Sequence, residues 1–308
     1  MEIALQFGLL VLGFVMLAKG ADWFVEGAAG IAMRFGIPQL VIGLTIVAMG
    51  TSAPEAAVSI AAAVKGNADI TIGNIVGSNI LNILIILGLA ASIVPIAVAR
   101  STVRIEIPFM IGVTALLFYQ GRDGSISLAD GGVLMVAFAA YMMYLYTMAM
   151  KSNVDSDLEE PGLPLGRCLL GAVGGLALII AGSNVTVGAA TSIATYAGLS
   201  ERFIGLTIVA LGTSLPELFT SVAAARRGNA DIAIGNIVGS NIFNILFVVG
   251  LSSLIIDIPF ASAFNFDTYV ALGAAVLLWL CVLRTQRLQR WAGALMLVCY
   301  AAYLGYIL

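Results

Sequence analysis

One unit of sequence is written twice in this chain, and that duplication limits the possible folds more than any other feature. Residues 42–89 and 204–251 align without a gap at an offset of 162, and 35 of the 48 aligned positions are identical. GTSAPE at 50–55 returns as GTSLPE at 212–217, and GNIVGSNI at 73–80 returns unchanged at 235–242. Weaker matches run backwards at the same offset: Gly13 with Gly175, Gly20 with Gly182, Asp22 with Asn184, and Gly36 with Gly198. The fold must accommodate two copies of one unit, and the surrounding medium decides how they can be arranged.

That medium is a bilayer. Of 308 residues, 61% are hydrophobic and 10% charged, whereas an ordinary soluble domain carries about 25% charged residues. The apolar material comes in runs of about 17 to 25 residues, matched to a hydrocarbon core of about 30 Å. A soluble chain so composed would expose large apolar patches and aggregate. Strand-like alternation does not recur along the chain, which excludes a β-barrel. The first segment has no basic region before it and no small-residue cleavage site after it, so it reads as a helix of the mature chain rather than a signal peptide.

Ten apolar segments fall at roughly 3–21, 38–64, 70–98, 105–119, 127–149, 166–188, 201–225, 232–256, 267–283 and 290–307. The expected fold is an all-α polytopic membrane protein with ten transmembrane helices. The polar, acidic stretch 151–164, KSNVDSDLEEPGLP, lies at mid-chain, holds Pro161 and Pro164, and reads as a linker. Residues 1–150 then form a first five-helix half with its repeat at about 38–92, and residues 165–308 a second with its repeat at about 200–254. Five is odd, so the second copy enters the membrane from the opposite side. This is the inverted-repeat arrangement that gives a transporter two related conformations. Odd-numbered loops and adjoining helix ends hold eleven basic residues, while even loops hold Lys65, Arg122 and Arg202. Basic residues stay inside, so the linker is predicted cytoplasmic and both termini periplasmic or exterior, in the cell inner (plasma) membrane.

Several function classes drop out. Histidine is absent, which removes the commonest proton shuttle and transition-metal ligand. The basic residues are mostly isolated, which argues against nucleic acid. Cys168, Cys281 and Cys299 form no CxxC and read as packing residues. Beyond the lipid bilayer, no obligate protein partner is indicated, and no cofactor.

The chemistry sits inside the duplicated unit. Glu55 and Glu217 lie mid-way through apolar segments, and an ionisable group at bilayer depth points to function. Each follows a proline, Pro54 or Pro216, and a Gly-Thr-Ser: Gly50, Thr51, Ser52 and Gly212, Thr213, Ser214. Gly and Pro so close together predict an interrupted helix whose carbonyls can meet a cation. Ser78 and Asn82, four apart, share a helix face, as do Ser240 and Asn244. Asn74 and Asn236 begin the same stripe, with Asn79 and Asn241 beside it. The pairs Gly73/Gly77 and Gly235/Gly239 allow close helix approach. Two carboxylates among neutral oxygens suit hard cations, Ca²⁺ and Na⁺. Competition of both ions for one set of oxygens is a mechanism of coupled exchange.

Other polar residues have plainer expectations. Asp69 and Asp231 are expected to cap helices. Asp22 is expected at the end of the first helix beside Trp23. Glu106, Asp130, Asp257 and Asp267 are expected to be solvated near segment ends. Tyr141, Tyr144 and Tyr146 read as packing or an interfacial belt, and Glu26 as a possible lining of an access path.

These motifs resemble the two α-repeats of the calcium/cation antiporter superfamily, and the whole chain resembles its short prokaryotic sodium/calcium exchangers of ten helices. The resemblance implies antiport of Ca²⁺ against Na⁺, usually Ca²⁺ out and Na⁺ in. It also implies sliding of the first and sixth helices against the remaining eight. Carried over residue by residue, it implies ion ligation by the Ala48 carbonyl, Thr51, Ser52, Glu55, Ser78 and Asn82 in the first half. In the second half it implies the Ala210 carbonyl, Thr213, Ser214, Glu217, Ser240 and Asn244. Some relatives carry Asp where this chain has Asn244, which leaves one fewer titratable group here and bears on the number of sodium ions and on protons. Within the same fold the alternative is a proton-coupled Ca²⁺ antiporter. A channel fits inverted halves less well. A membrane enzyme lacks any nucleophile paired with a base.

Overall fold

A computed structural model describes residues 2–66, 68–152, 163–198 and 210–307. The described residues are overwhelmingly helical. In chain order they form α1 (Glu2–Arg34), α2 (Gln39–Thr51), α3 (Ala53–Val64), α4 (Ile70–Ile93), α5 (Thr102–Asp123) and α6 (Leu128–Ser152). The second half follows with α7 (Leu165–Tyr196), α8 (Ala210–Thr213), α9 (Leu215–Arg226), α10 (Ala230–Ile255), α11 (Ala263–Leu283) and α12 (Arg290–Ile307). Among the described residues eight helices are long and apolar enough to cross a membrane, and the bent pair α2–α3 makes a ninth span. The chain is therefore an all-α polytopic membrane protein. The first part of the predicted segment 201–225, and most of the predicted linker 151–164, lie outside the described residues.

The offset of 162 seen in the motifs extends to the helix boundaries. Arg34 and Tyr196 end α1 and α7, Val64 and Arg226 end α3 and α9, and Leu128 and Arg290 begin α6 and α12. Four two-residue strands keep the same spacing: β1 (Ile96–Ala97), β2 (Ser125–Ile126), β3 (Ile258–Pro259) and β4 (Arg287–Leu288). They pair across the halves and antiparallel, β1 with β4 and β2 with β3. Exchanging the halves turns one pair into the other.

The long helices α1 and α7 run antiparallel along a seam of small residues. A Cβ on Gly13 would meet the backbone of Thr186 at 2.9 Å, one on Gly20 the Ile179 nitrogen at 2.9 Å, and one on Gly27 the Ala172 nitrogen at 2.4 Å. Seen from the other side, a Cβ on Gly175 would lie 2.5 Å from the Phe24 nitrogen, and one on Gly182 3.0 Å from the Leu17 nitrogen. Glycines seven apart fall on one helix face, so removing their side chains lets the two backbones touch.

This seam corrects two expectations. Helix α1 does not stop near residue 21, nor α7 near 188; both continue through glycines that look like breaks but serve as contacts. Asp22 and Trp23 therefore lie within α1, not at its end. Asp22 and Glu26 both pair with Arg227, just past α9, each at 3.2 Å. The corresponding positions of the other half are Lys65, Asn184 and Gly188, which cannot repeat this ion pair.

The centre belongs to α4 and α10. Their spans are 78% and 94% buried inside the protein, against 17% for α1, α6 and α12. A helix that is apolar all round and still surrounded by protein can carry an internal polar stripe at no cost to its lipid-facing neighbours. Two further expectations change at helix starts. Asp69 opens the helical segment Asp69–Leu81 that α4 continues, with Ala68 at the cap position, and Asp231 sits inside the first turn of α10, with Asn229 at the cap. Asp231 makes no capping bond; a carboxylate in a first turn still favours the helix dipole. Asp130 instead takes the Ser127 amide at 2.9 Å and its hydroxyl at 2.6 Å, a local clasp at the start of α6. Asp257 is exposed, as expected, and accepts the Leu128 amide.

Candidate ion-binding site

The interruption predicted at GTSAPE is present. Helices α2 and α3 meet at Ser52 with a bend of 51°. Pro54 lies in the first turn of α3, where its missing N–H costs nothing. Glu55 occupies that same first turn, and Glu217 the first turn of α9 after Pro216. Each carboxylate is thus carried to the core by a helix N-terminus, whose dipole favours negative charge. Glu55 is 1% exposed and Glu217 fully buried.

The two halves clasp each other's acids. Ser52 Oγ donates to Glu217 Oε1 at 2.7 Å, and Ser214 Oγ donates to Glu55 Oε1 at 3.3 Å. Thr51 and Ser240 also face the Glu217 carboxyl group, and Thr213 faces that of Glu55. The carboxyl groups themselves lie near enough to repel. Oε2 of Glu55 and Oε2 of Glu217 are buried without a hydrogen-bond partner among the described residues.

Four asparagines at the crossing of α4 and α10 repeat this exchange. Asn79 Nδ2 donates to the Asn241 carbonyl and Asn241 Nδ2 to the Asn79 carbonyl, both at 3.2 Å. Asn82 Nδ2 donates to Asn241 Oδ1 at 2.9 Å, and Asn244 Nδ2 to Asn79 Oδ1 at 3.1 Å. With their nitrogens tied, Asn82 and Asn244 each hold a buried Oδ1 that no described group satisfies. Each of them also opens a π-helical segment, Asn82–Leu87 or Asn244–Val249. Such segments are frequent at functional sites because they re-aim a side chain within a helix.

A third pair fixes the broken helices. Asn74 Nδ2 reaches Ser59 Oγ at 2.9 Å and the Glu55 carbonyl at 3.3 Å; Asn236 Nδ2 reaches Ser221 Oγ at 2.9 Å and the Glu217 carbonyl at 3.4 Å. Thr51 Oγ1 lies 2.9 Å from Asn236 Oδ1, so the first half's break is also held by the second half. The Ala48 carbonyl takes the Ser52 amide at 3.0 Å and Ser240 Oγ at 3.3 Å. Ser78 is buried on α4, and Ala210 opens the short α8. Close approach is again by glycine: a Cβ on Gly239 would sit 2.8 Å from Leu44 Cα.

The structure thus gathers Thr51, Ser52, Glu55, Asn82, Thr213, Ser214, Glu217, Ser240 and Asn244 around one buried polar core. It adds residues that sequence reasoning passed over or left without a role: Ser59 and Ser221, and the tethering asparagines Asn79 and Asn241. Their signal was available, since all four are identical in the two copies. Among the described residues no three His, Cys, Asp or Glu side chains converge anywhere. The donor set is two carboxylates diluted by hydroxyls and amides, the chemistry of a hard cation that must also leave.

Known proteins of the same build exist. The family described as sodium/calcium exchanger protein matches residues 5–147 and 168–308. The inner membrane protein YrbG of Escherichia coli is 40% identical over 80% of this chain and 79% of its own. The sodium/calcium exchanger MaX1 of Methanosarcina acetivorans is 33% identical over 98% of both chains. A solved structure of a sodium-calcium exchanger superposes with a TM-score of 0.87 at 34% identity, covering 99% of this chain and 100% of the other.

Proposed function

The chain belongs to the sodium/calcium exchanger family, and from that membership we propose how its two halves bind and move ions. It is a secondary active antiporter, not an enzyme, and it exchanges Ca²⁺ for Na⁺ across the membrane by alternating access. Both ions are cargo. The binding site consists of Glu55, Glu217, Thr51, Thr213, Ser52, Ser214, Ser78, Ser240, Asn82, Asn244 and the carbonyls of Ala48 and Ala210.

One observation carries this reading. Four buried oxygens, Glu55 Oε2, Glu217 Oε2, Asn82 Oδ1 and Asn244 Oδ1, have no described partner and come equally from both halves. Unsatisfied buried acceptors are expensive, and unpaired buried charges more so. A divalent cation neutralises both carboxylates and gives all four oxygens a partner. Since each half supplies half the site, separating the halves dismantles it.

The chain has ten transmembrane helices in two inverted five-helix repeats, residues 1–150 and 165–308, joined by the linker 151–164. Support comes from the offset of 162 at the helix boundaries and from the antiparallel contact of the equivalent helices α1 and α7. Equivalent helices that touch while running in opposite directions are related by an axis across them, which in a bilayer lies in the membrane plane. The glycine seam locks α1 to α7 backbone to backbone, so the two helices slide as one unit against the core. The termini face the periplasm or exterior of the plasma membrane. Lys19 lies inside α1 and leaves the positive-inside count, which still favours the odd loops by ten to three.

Purified protein in proteoliposomes tests the exchange directly. Radiolabelled Ca²⁺ uptake is measured with outward Na⁺, K⁺ or H⁺ gradients imposed one at a time. Uptake driven by Na⁺ alone is expected; uptake driven by H⁺ without Na⁺ would assign the coupling to protons instead.

A further inference from the structure

A trough opens between α1 and α7, near the end where α7 begins. Its volume is about 410 Å³, and Trp23, Glu26, Gly27, Arg167, Leu170 and Gly174 are among the residues that line it. Glycine makes the space: Gly27 lies against the backbone of α7, and a methyl added at Gly174 would meet nothing within 4 Å. Trp23 and Leu170 are 52% and 74% exposed, so in a bilayer the mouth of the trough faces lipid. With 32 residues, α7 is longer than a hydrocarbon core of about 30 Å requires, and its first turn, which holds Arg167, lies at headgroup level. Leu170 and Gly174 follow about 5 and 10 Å deeper along the helix. The trough is charged at its outer end and apolar below.

Packing does not explain those charges. At the repeat offset Arg167 corresponds to Leu5, Glu26 to Gly188 and Trp23 to Val185. The opposite end of the same helix pair is therefore built without charge at these positions. Glu26 gives Oε2 to Arg227 at 3.2 Å, while Arg167 has no ion pair among the described residues. A carboxylate has lone pairs for several donors, and Glu26 is 42% exposed at its side chain. The outer end thus offers a guanidinium to an acidic group and a carboxylate to a second donor, side by side above an apolar channel.

We propose that this trough binds one zwitterionic phospholipid with a primary ammonium, phosphatidylethanolamine: phosphate on Arg167, ammonium on Glu26, and an acyl chain along Leu170 and Gly174. The planar fork of arginine suits a phosphate, and basic pockets between transmembrane helices take lipid headgroups. Glu26 sets the choice among lipids. It repels a headgroup that is only anionic, and it accepts charge-assisted hydrogen bonds from a primary ammonium, which a quaternary ammonium has no N–H to make. A mostly apolar cavity of this size with a few placed polar groups falls in the usual range for ligand sites, about 300–1,000 Å³. The lipid touches both helices of the glycine seam and none of the exchange site.

The test uses purified, delipidated full-length protein in detergent. Phosphatidylethanolamine, phosphatidylcholine or phosphatidylglycerol with identical acyl chains is added, and retained lipid is measured by native mass spectrometry. Phosphatidylethanolamine is expected to bind about tenfold more tightly than the other two. Arg167→Ala should weaken all three, and Glu26→Gln should erase the difference between phosphatidylethanolamine and phosphatidylcholine. Arg227→Gln, which removes the ion pair but neither headgroup contact, should keep the preference. Gly174→Leu fills the trough without touching a charge and should expel the lipid; if Arg167→Ala fails to fold, as judged by gel filtration, Gly174→Leu decides alone. Equal retention of the three lipids, or tightest retention of phosphatidylglycerol, would overturn the proposal. Retention unchanged by Arg167→Ala and Gly174→Leu, the mark of lipid held elsewhere on the surface, would overturn it as well.

Discussion

Asn241 touches no ion in this scheme, yet replacing it should damage the site, and the size of the effect can be worked out from its bonds. Its Oδ1 accepts the Asn82 amide at 2.9 Å and its Nδ2 donates to the Asn79 carbonyl at 3.2 Å. Asn241→Ala deletes both bonds in a place where Asn82 is 1% exposed and water does not reach. Leaving a buried donor unmade costs about 1–3 kcal/mol. The Asn82 amide can escape that cost by rotating, and rotation turns its Oδ1 away from the site. Partners that orient a metal ligand typically cost about ten- to hundredfold in affinity when lost. The half-saturating Ca²⁺ concentration for Na⁺-driven uptake in proteoliposomes should rise by that factor. Asn79→Ala should do the same through Asn244, because the network is repeated by the exchange of halves. Unchanged Ca²⁺ dependence in both variants, with the protein folded, would refute the claim that the asparagine lattice aims the site's oxygens.

Four further outcomes are expected. Glu55→Gln or Glu217→Gln should each cut Na⁺-driven Ca²⁺ uptake by about a hundredfold or more, since breaking a buried charge arrangement costs about 3–5 kcal/mol; wild-type flux in either would remove the carboxylates from the mechanism. Ser52→Ala should weaken Ca²⁺ uptake more than Ser214→Ala, because the first donates to a buried carboxylate at 2.7 Å and the second at 3.3 Å. Gly27→Ala should lower thermal stability in detergent by about 1–3 kcal/mol through overpacking, whereas Gly174→Ala, with nothing within 4 Å of the added methyl, should be close to neutral. Asn244→Asp should shift the Na⁺ or pH dependence of exchange more than expression; superimposable curves would show the carboxylate silent at this position.

Much of this protein was legible before its structure. Run length gave membrane spans, because hydrocarbon thickness sets helix length directly. The repeated motifs singled out Glu55 and Glu217, because a charge inside an apolar run has no cheap alternative to function. Boundaries were less legible where glycine was ambiguous. The apolar run placed the first helix end near residue 21, whereas Gly20 and Gly27 form a contact seam with α7 inside a helix that runs to Arg34. Asp22 was expected at a helix end and Glu26 along an access path; both instead pair with Arg227, more than two hundred positions along.

By itself, then, the sequence determined the medium, the duplication and the acids, all of which depend on local composition or on self-similarity. Tertiary structure alone decided which oxygens are already spoken for. A hydrogen bond between Ser52 and Glu217, or Asn82 and Asn241, joins residues some 160 positions apart, and no local pattern encodes it. The same applies to Glu106, whose place near a segment end suggests solvent. Only the packing of α5 against α6 buries it beneath Tyr141 and Tyr144, because burial depends on what the rest of the chain lays over a residue.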